Sequence, residues 1–156
     1  MFPFHSSDLL HCLEQLNRIG ISLSKERDTA KLLETILIAA KNLLNADGGT
    51  LYRLDEASQQ LHFEVLRNDS LQLYTGGTTG KPILFPPIPL YDERGQPKTG
   101  MVVTYAVLND TTVVIDDAYA DQDFDFSGTR RFDQKTGYRS RSFLTVPMKN
   151  HEDKII

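Results

Sequence analysis

The hydrophobic period changes sharply at Ala46-Asp47-Gly48-Gly49, and that change decides what the chain can become. Before it, apolar residues recur at three and four; after it, they alternate or cluster in short runs, so helices come first and strands follow. Ser6, Ser7 and Asp8 offer N-cap chemistry, and Leu9, Leu13, Leu16 and Leu23 then form one apolar stripe, with Gly20 as its weak point. A second helix is predicted from Asp28 to about Asn45, with Leu32, Leu33, Ile36, Leu37, Ala40, Leu43 and Leu44 facing inward. Glycine readily takes the left-handed conformation, so the Ala46–Gly49 run is expected to stop that helix.

Beyond the stop, Thr50–Leu54 and Leu61–Leu66 read as a hairpin around the polar loop Asp55–Gln60, with a weaker third strand at Leu71–Tyr74. Residues 76–100 hold five of the seven prolines, which remove backbone donors and predict a structured loop at a rim. A short helix over Met101–Leu108 and buried strands at Thr112–Ile115 and Phe143–Met148 complete the pattern. The expected class is α+β, with helices packed on an antiparallel sheet.

A chain of 156 residues suits one domain with one core. The net charge of −4 argues against a nucleic-acid partner, which needs a basic stripe. A single cysteine, Cys12, allows no internal disulfide; it fits a cytoplasmic setting, and its place on the opening helix predicts burial. The N-terminus lacks the order of a signal peptide, and Leu32–Leu44 is broken by Glu34, Lys41 and Asn42, so no membrane span is expected in this segment. Lys149–Asp153 reads as a hairpin turn, and Lys154-Ile155-Ile156 opens a strand of three residues. Residues 1–156 are therefore expected to be one domain cut from a longer multidomain signalling protein.

Several motifs invite chemistry and fail on detail. Gly76-Gly77-Thr78-Thr79-Gly80-Lys81 is one residue short for a phosphate loop, and Pro82 stands where Ser or Thr should hold magnesium. Asp121, Asp123 and Asp125 match the first alternating ligands of a calcium loop, but Phe126 and Phe132 occupy the glycine and glutamate positions. A solvated loop is the better reading. Histidines 5, 11, 62 and 151 show no pair at metal-ligand spacing, and no nucleophile sits in a recognisable context, so no metal and no catalysis are expected. Arg130, Arg131, Lys135, Arg139 and Arg141 lie beside the acidic run. They suit either surface salt bridging or the mouth of an anion pocket.

The stretch from Phe124 to Met148, with Phe132-Asp133, Thr136-Gly137-Tyr138, Arg139-Ser140 and a strand leading to Val146-Pro147, closely resembles the signature of GAF domains. The resemblance is strongest to those of cyclic-nucleotide phosphodiesterases, adenylyl cyclases and bacterial HD-GYP phosphodiesterases. Asn17-Arg18-Ile19-Gly20, Asn45–Tyr52 and Val65–Ser70 extend it in order, and Phe85–Asp92 looks most like the HD-GYP-linked subset. It implies a six-stranded antiparallel sheet, truncated here in its last strand, with terminal helices on one face and a ligand pocket on the other. Carried over, the pocket residues are Gly100, Met101 and Val102 at the short helix, Asp117 and Tyr119 after the fourth strand, and Phe126, Thr136 and Arg139 in the long loop.

What the resemblance further implies is a sensor that binds a small molecule, with a cyclic nucleotide as a candidate, and controls a fused effector such as a phosphodiesterase. A homodimer through the N-terminal helices is expected. The alternative is a dimerisation spacer with a vestigial pocket. Bilin-binding relatives use a cysteine near the pocket, and Cys12 on the first helix does not supply one. The resemblance places the Asn-Lys…Phe…Asp-Glu element of nucleotide-binding members after the last strand, beyond Ile156.

Overall fold

A computed structural model describes residues 6–156. Its elements run α1 (Ser6–Lys25), α2 (Thr29–Leu43), β1 (Gly48–Asp55), β2 (Gln60–Asn68), β3 (Leu73–Gly76), β4 (Ile88–Pro89), α3 (Val102–Leu108), β5 (Val113–Ile115), α4 (Ser127–Thr136) and β6 (Phe143–Thr145). The class is α+β as expected, built from four helices and antiparallel strands among the described residues, with no closed barrel. The chain divides into two compact units, residues 6–51 with 63–84 and residues 52–62 with 85–156.

In the first unit α1 runs unbroken through Gly20, and the capping side chains expected at residues 6–8 lie outside the described side chains. Its stripe is not buried: Leu9, Leu13 and Leu16 are 57%, 54% and 48% exposed. Cys12 is exposed as well, against the expected burial. One flank of α1 packs on α2, leaving most of a nearly isolated helix in water.

Asp28 caps α2 by accepting the amide of Lys31 at 3.0 Å. The helix stops earlier than predicted, at Leu43, and the left-handed residue is Asn45 (φ 50°) instead of a glycine. Asparagine tolerates that conformation, which frees Gly48 and Gly49 to open β1. The buried face of α2 is also rotated from the hydrophobic reading. Leu37 and Lys41 are buried, whereas Ala40, Leu43 and Leu44 are exposed. The cause lies in two ion pairs, Glu34 with Arg67 and Lys41 with Asp69, which turn that face towards residues 67–69.

Strand β2 pairs with β3 in the register Val65↔Gly76 to Asn68↔Leu73. The third strand starts two residues later than predicted because residues 69–72 form a turn. Gln72 takes a positive φ and donates to the Asp69 carbonyl, while Asn68 accepts the amide of Leu71.

In the second unit β4 pairs with β2 through Leu61↔Ile88 and Gln60↔Pro89, so the proline-rich stretch contains a two-residue edge strand. A tight hairpin follows, closed by the bridge Tyr91↔Pro97 and by Asp92, which accepts the amides of Arg94 and Gln96 at 2.8 Å each. Strands β5 and β6 are antiparallel, Val113↔Thr145 to Ile115↔Phe143. Val102, Ala106, Val113, Ile115, Ala118 and Phe126 form the core here, with Tyr105, Phe124 and Phe143 packed against it. The predicted terminal turn is present, bridging Lys149 to Ile155.

The clearest departure is α4. The long loop expected around Phe126, Thr136 and Arg139 contains a ten-residue helix that ends on Gly137 (φ 72°), whose amide donates to the Asp133 carbonyl at 2.8 Å. Its sequence, Ser-Gly-Thr-Arg-Arg-Phe-Asp-Gln-Lys-Thr, has too few apolar residues to show a helical period. Among the described residues no helix is long and apolar enough to cross a membrane.

Candidate functional site

The chain leaves β5 through a local turn at Asp117. Its Oδ1 accepts the Tyr119 amide at 2.9 Å, and its carbonyl accepts the amides of Ala120 and Asp121. Such a side-chain turn is what aspartate offers after a strand. The Ala118 amide then donates to the Arg141 carbonyl at 2.8 Å, tying the end of β5 to the segment after α4. Gly137 reverses the chain there, because its left-handed φ ends the helix and sends residues 138–141 back towards β5.

These two loops meet over a buried carboxylate. Asp133 is only 3% exposed and accepts the Tyr119 hydroxyl at 2.9 Å, the Ser140 amide at 2.8 Å and the Ser140 hydroxyl at 2.8 Å. A buried charge is tolerable when several donors satisfy it, and three do so here. With Ser140 fixed, Arg139 lies over the Tyr119 ring, 3.5 Å from its centroid, and donates to Asp117 at 3.2 Å and to the Ser140 carbonyl at 2.7 Å. Arg130, from the first turns of α4, approaches the same ring to 5.3 Å.

The charges respond accordingly. The Tyr119 amide, and behind it the Arg139 guanidinium, hold the Asp117 carboxyl below its ordinary value. Partial loss of water, then the neighbouring Asp133 carboxylate, push the Tyr119 phenol up.

Of the eight residues expected to line a pocket, Asp117, Tyr119 and Arg139 come together. Val102 and Phe126 lie instead in the apolar core, with Phe126 against Phe143 at 5.6 Å between ring centroids. Met101 is the N-cap of α3, and the Gly100 carbonyl accepts the Asp125 amide at 2.7 Å. Thr136 closes α4 with its hydroxyl on the Phe132 carbonyl and is exposed. An open cleft of about 520 Å³ lies beside Tyr105, Phe124 and residues 111–114, and none of the eight lines it. Asp133 and Ser140, the anchor of the cluster, are absent from the sequence-based set. Both stand inside the stretch that carries the GAF resemblance, but a carboxylate in a polar helix gives no sign that it is buried.

Residues 28–156 match the GAF domain family model. The chain belongs to the GAF domain family. This is a family of regulatory and sensor domains that are generally non-catalytic. The GAF fold is shared with that of an Acinetobacter phosphoenolpyruvate-protein phosphotransferase at 16% identity and TM-score 0.62, covering 94% of this chain and 72% of that one. It is shared with the GAF domain of the Coxiella burnetii phosphoenolpyruvate-protein phosphotransferase at 12% identity and TM-score 0.65, covering 94% and 74%. A free methionine-R-sulfoxide reductase from Neisseria meningitidis, solved with its substrate, is similar at 22% identity and TM-score 0.58, covering 99% and 74%. At these identities the likeness concerns the fold alone.

Proposed function

We propose that this GAF domain is a cytoplasmic regulatory sensor that binds a small molecule and controls an attached signalling effector within a longer protein. The observation that carries this reading is the convergence of Asp117 and Arg139 on Tyr119, which the buried Asp133 holds through its hydroxyl. Such a cluster presents charge, hydrogen-bond groups and an aromatic ring at one exposed place, which suits recognition of a polar ligand. GAF domains are generally non-catalytic, and we read the cluster as a binding site. A cyclic nucleotide is a candidate ligand, and phosphodiesterases, cyclases and HD-GYP enzymes are candidate effectors, on the strength of the Phe124–Met148 and Phe85–Asp92 resemblances.

The test is a thermal-shift panel of cyclic mono- and dinucleotides, haem and common metabolites. A ligand at about a hundred times its dissociation constant stabilises the fold by roughly 2.7 kcal/mol. The expected rise in melting temperature is on the order of 2–6 °C for a domain of this size. A flat response across every class moves the assignment to a dimerisation spacer, a reading the exposed Leu9, Leu13 and Leu16 stripe favours. Sulfoxide reduction is disfavoured, since that chemistry needs reactive cysteines and the chain has one, Cys12, on α1.

A further inference from the structure

Asp117 makes two contacts of different kinds. One is local: Oδ1 accepts the Tyr119 amide at 2.9 Å and shapes the turn after β5. The other reaches across to the Arg139 guanidinium at 3.2 Å, in a pair whose side chains are 51% and 33% exposed. An ion pair this open to water contributes little to stability, so the second contact is dispensable to the fold.

Arg139 does not depend on Asp117 for its place. A second guanidinium nitrogen donates to the Ser140 carbonyl at 2.7 Å, and the group lies over Tyr119. Ser140 and Tyr119 are in turn held by Asp133. The partners of Asp133 here are neutral donors, so its charge is met without a guanidinium. With Asp117 turned aside, two cationic groups, Arg139 and Arg130, remain around one phenol ring.

We propose, building on the sensor reading above, that Asp117 is an internal stand-in for an anionic ligand: Arg139 with Arg130 forms a site for a phosphomonoester dianion, which binds by displacing the Asp117 carboxylate. The planar guanidinium fork matches phosphate oxygens, and two such groups answer a dianion better than the single charge of a cyclic diester. Binding therefore converts a weak internal pair into a ligand contact on a preorganised group. The loop after β5 is released from the segment after α4 at that one point, while the Ala118–Arg141 bond keeps the two together.

The experiment titrates inorganic phosphate, adenosine 5′-monophosphate, cyclic adenosine monophosphate and adenosine into the full chain by calorimetry. It compares the wild type, Asp117→Asn, Arg139→Gln and the double variant. Asparagine keeps the acceptor for the Tyr119 amide, and Asp117→Ser, whose hydroxyl caps the same amide, serves if the first variant fails to fold. Removing the competing carboxylate is expected to tighten phosphate and adenosine 5′-monophosphate by about three- to tenfold, the range set by an exposed charge pair plus relieved repulsion. Arg139→Gln is expected to cancel that gain in the double variant, and adenosine to respond to neither change. Unchanged or weaker phosphate binding by Asp117→Asn, or a gain that survives Arg139→Gln, overturns the proposal. If cyclic adenosine monophosphate or adenosine binds the wild type while phosphate ignores Asp117→Asn, the stand-in fails and the sensor reading stands. If nothing binds any variant at about 10 mM, weaker than any working affinity, the stand-in fails and the sensor reading loses its adenine-nucleotide candidates with it.

Discussion

At the scale of single residues, Gly76 carries the most exacting geometry. Its φ is +70°, and a Cβ placed there would sit 2.2 Å from the Glu64 carbonyl oxygen and 2.8 Å from Ile83 Cδ1. The first of these is backbone in the partner strand, so nothing flexible can give way. Left-handed strain and the forced approach add, and Gly76→Ala is expected to destabilise the fold by about 2–4 kcal/mol, read as a lower urea midpoint at unchanged slope. A loss below about 0.5 kcal/mol, the range of an ordinary surface change, would mean that β2 and β3 pair more loosely than their register implies. This glycine was visible in the sequence, but as a motif: the same six residues look like a failed phosphate loop. What the chain asks of Gly76 is a close backbone approach, and no spacing rule records that.

Helix α2 is held by ion pairs as well as by an apolar face, and this bears on where the sequence was legible and where it was not. The strands Gly48–Asp55 and Gln60–Asn68 were readable because alternation and the polar loop between them agree. The buried face of α2 was misread because Glu34 and Lys41 point inward, which hydrophobicity alone cannot foresee. Helix α4 was invisible because its polar sequence shows no apolar period, and the partners of its buried Asp133, Tyr119 and Ser140, lie outside the helix. Of the candidate site, Asp117, Tyr119 and Arg139 were legible only through the family resemblance, and their common anchor was not legible at all.

Glu34 lets this be tested on α2. It accepts the guanidinium of Arg67 and both the amide and the hydroxyl of Thr78, and so ties the helix to the loop after β3. Burial opposes its ionisation, but the Thr78 and Arg67 bonds outweigh burial and hold the carboxyl below its ordinary 4.5. The folded carboxyl thus binds its proton less tightly than the unfolded one. Its contribution is complete above the unfolded value and disappears as pH falls through the lower folded value. Glu34→Gln is therefore expected to destabilise the domain at pH 7 and to flatten the acid-side loss of stability below about pH 4.5. Urea titrations at several pH values check it, and an acid slope identical in both proteins would remove Glu34 from the account.

For the whole molecule the open question is what covers α1. The helix is 20 residues long, about 30 Å, and precedes the first residue of the family match, Asp28. Leu9, Leu13, Leu16, Gly20 and Leu23 follow each other at spacings of four and three, which is the seam of a two-stranded coil. Three of those leucines stand about half exposed, a state that water disfavours along a continuous stripe. A second copy would cover the stripe with its own, since a two-fold pair matches like with like. Burial would then come from assembly and not from the domain's own core, so stability of the core and pairing should separate. Sedimentation of the wild type at roughly 50 µM, where weak interfaces still populate a complex, is expected to show a dimer. Leu13→Lys with Leu16→Lys places like charges across the seam and is expected to give a monomer. The thermal midpoint of the double variant, extrapolated to low concentration, should match the wild type, because neither leucine is buried within one copy. A wild type that sediments as a monomer, or a double variant that still pairs, would return α1 to a solvated leader and leave the regulatory reading to rest on the Asp117–Arg139 cluster alone.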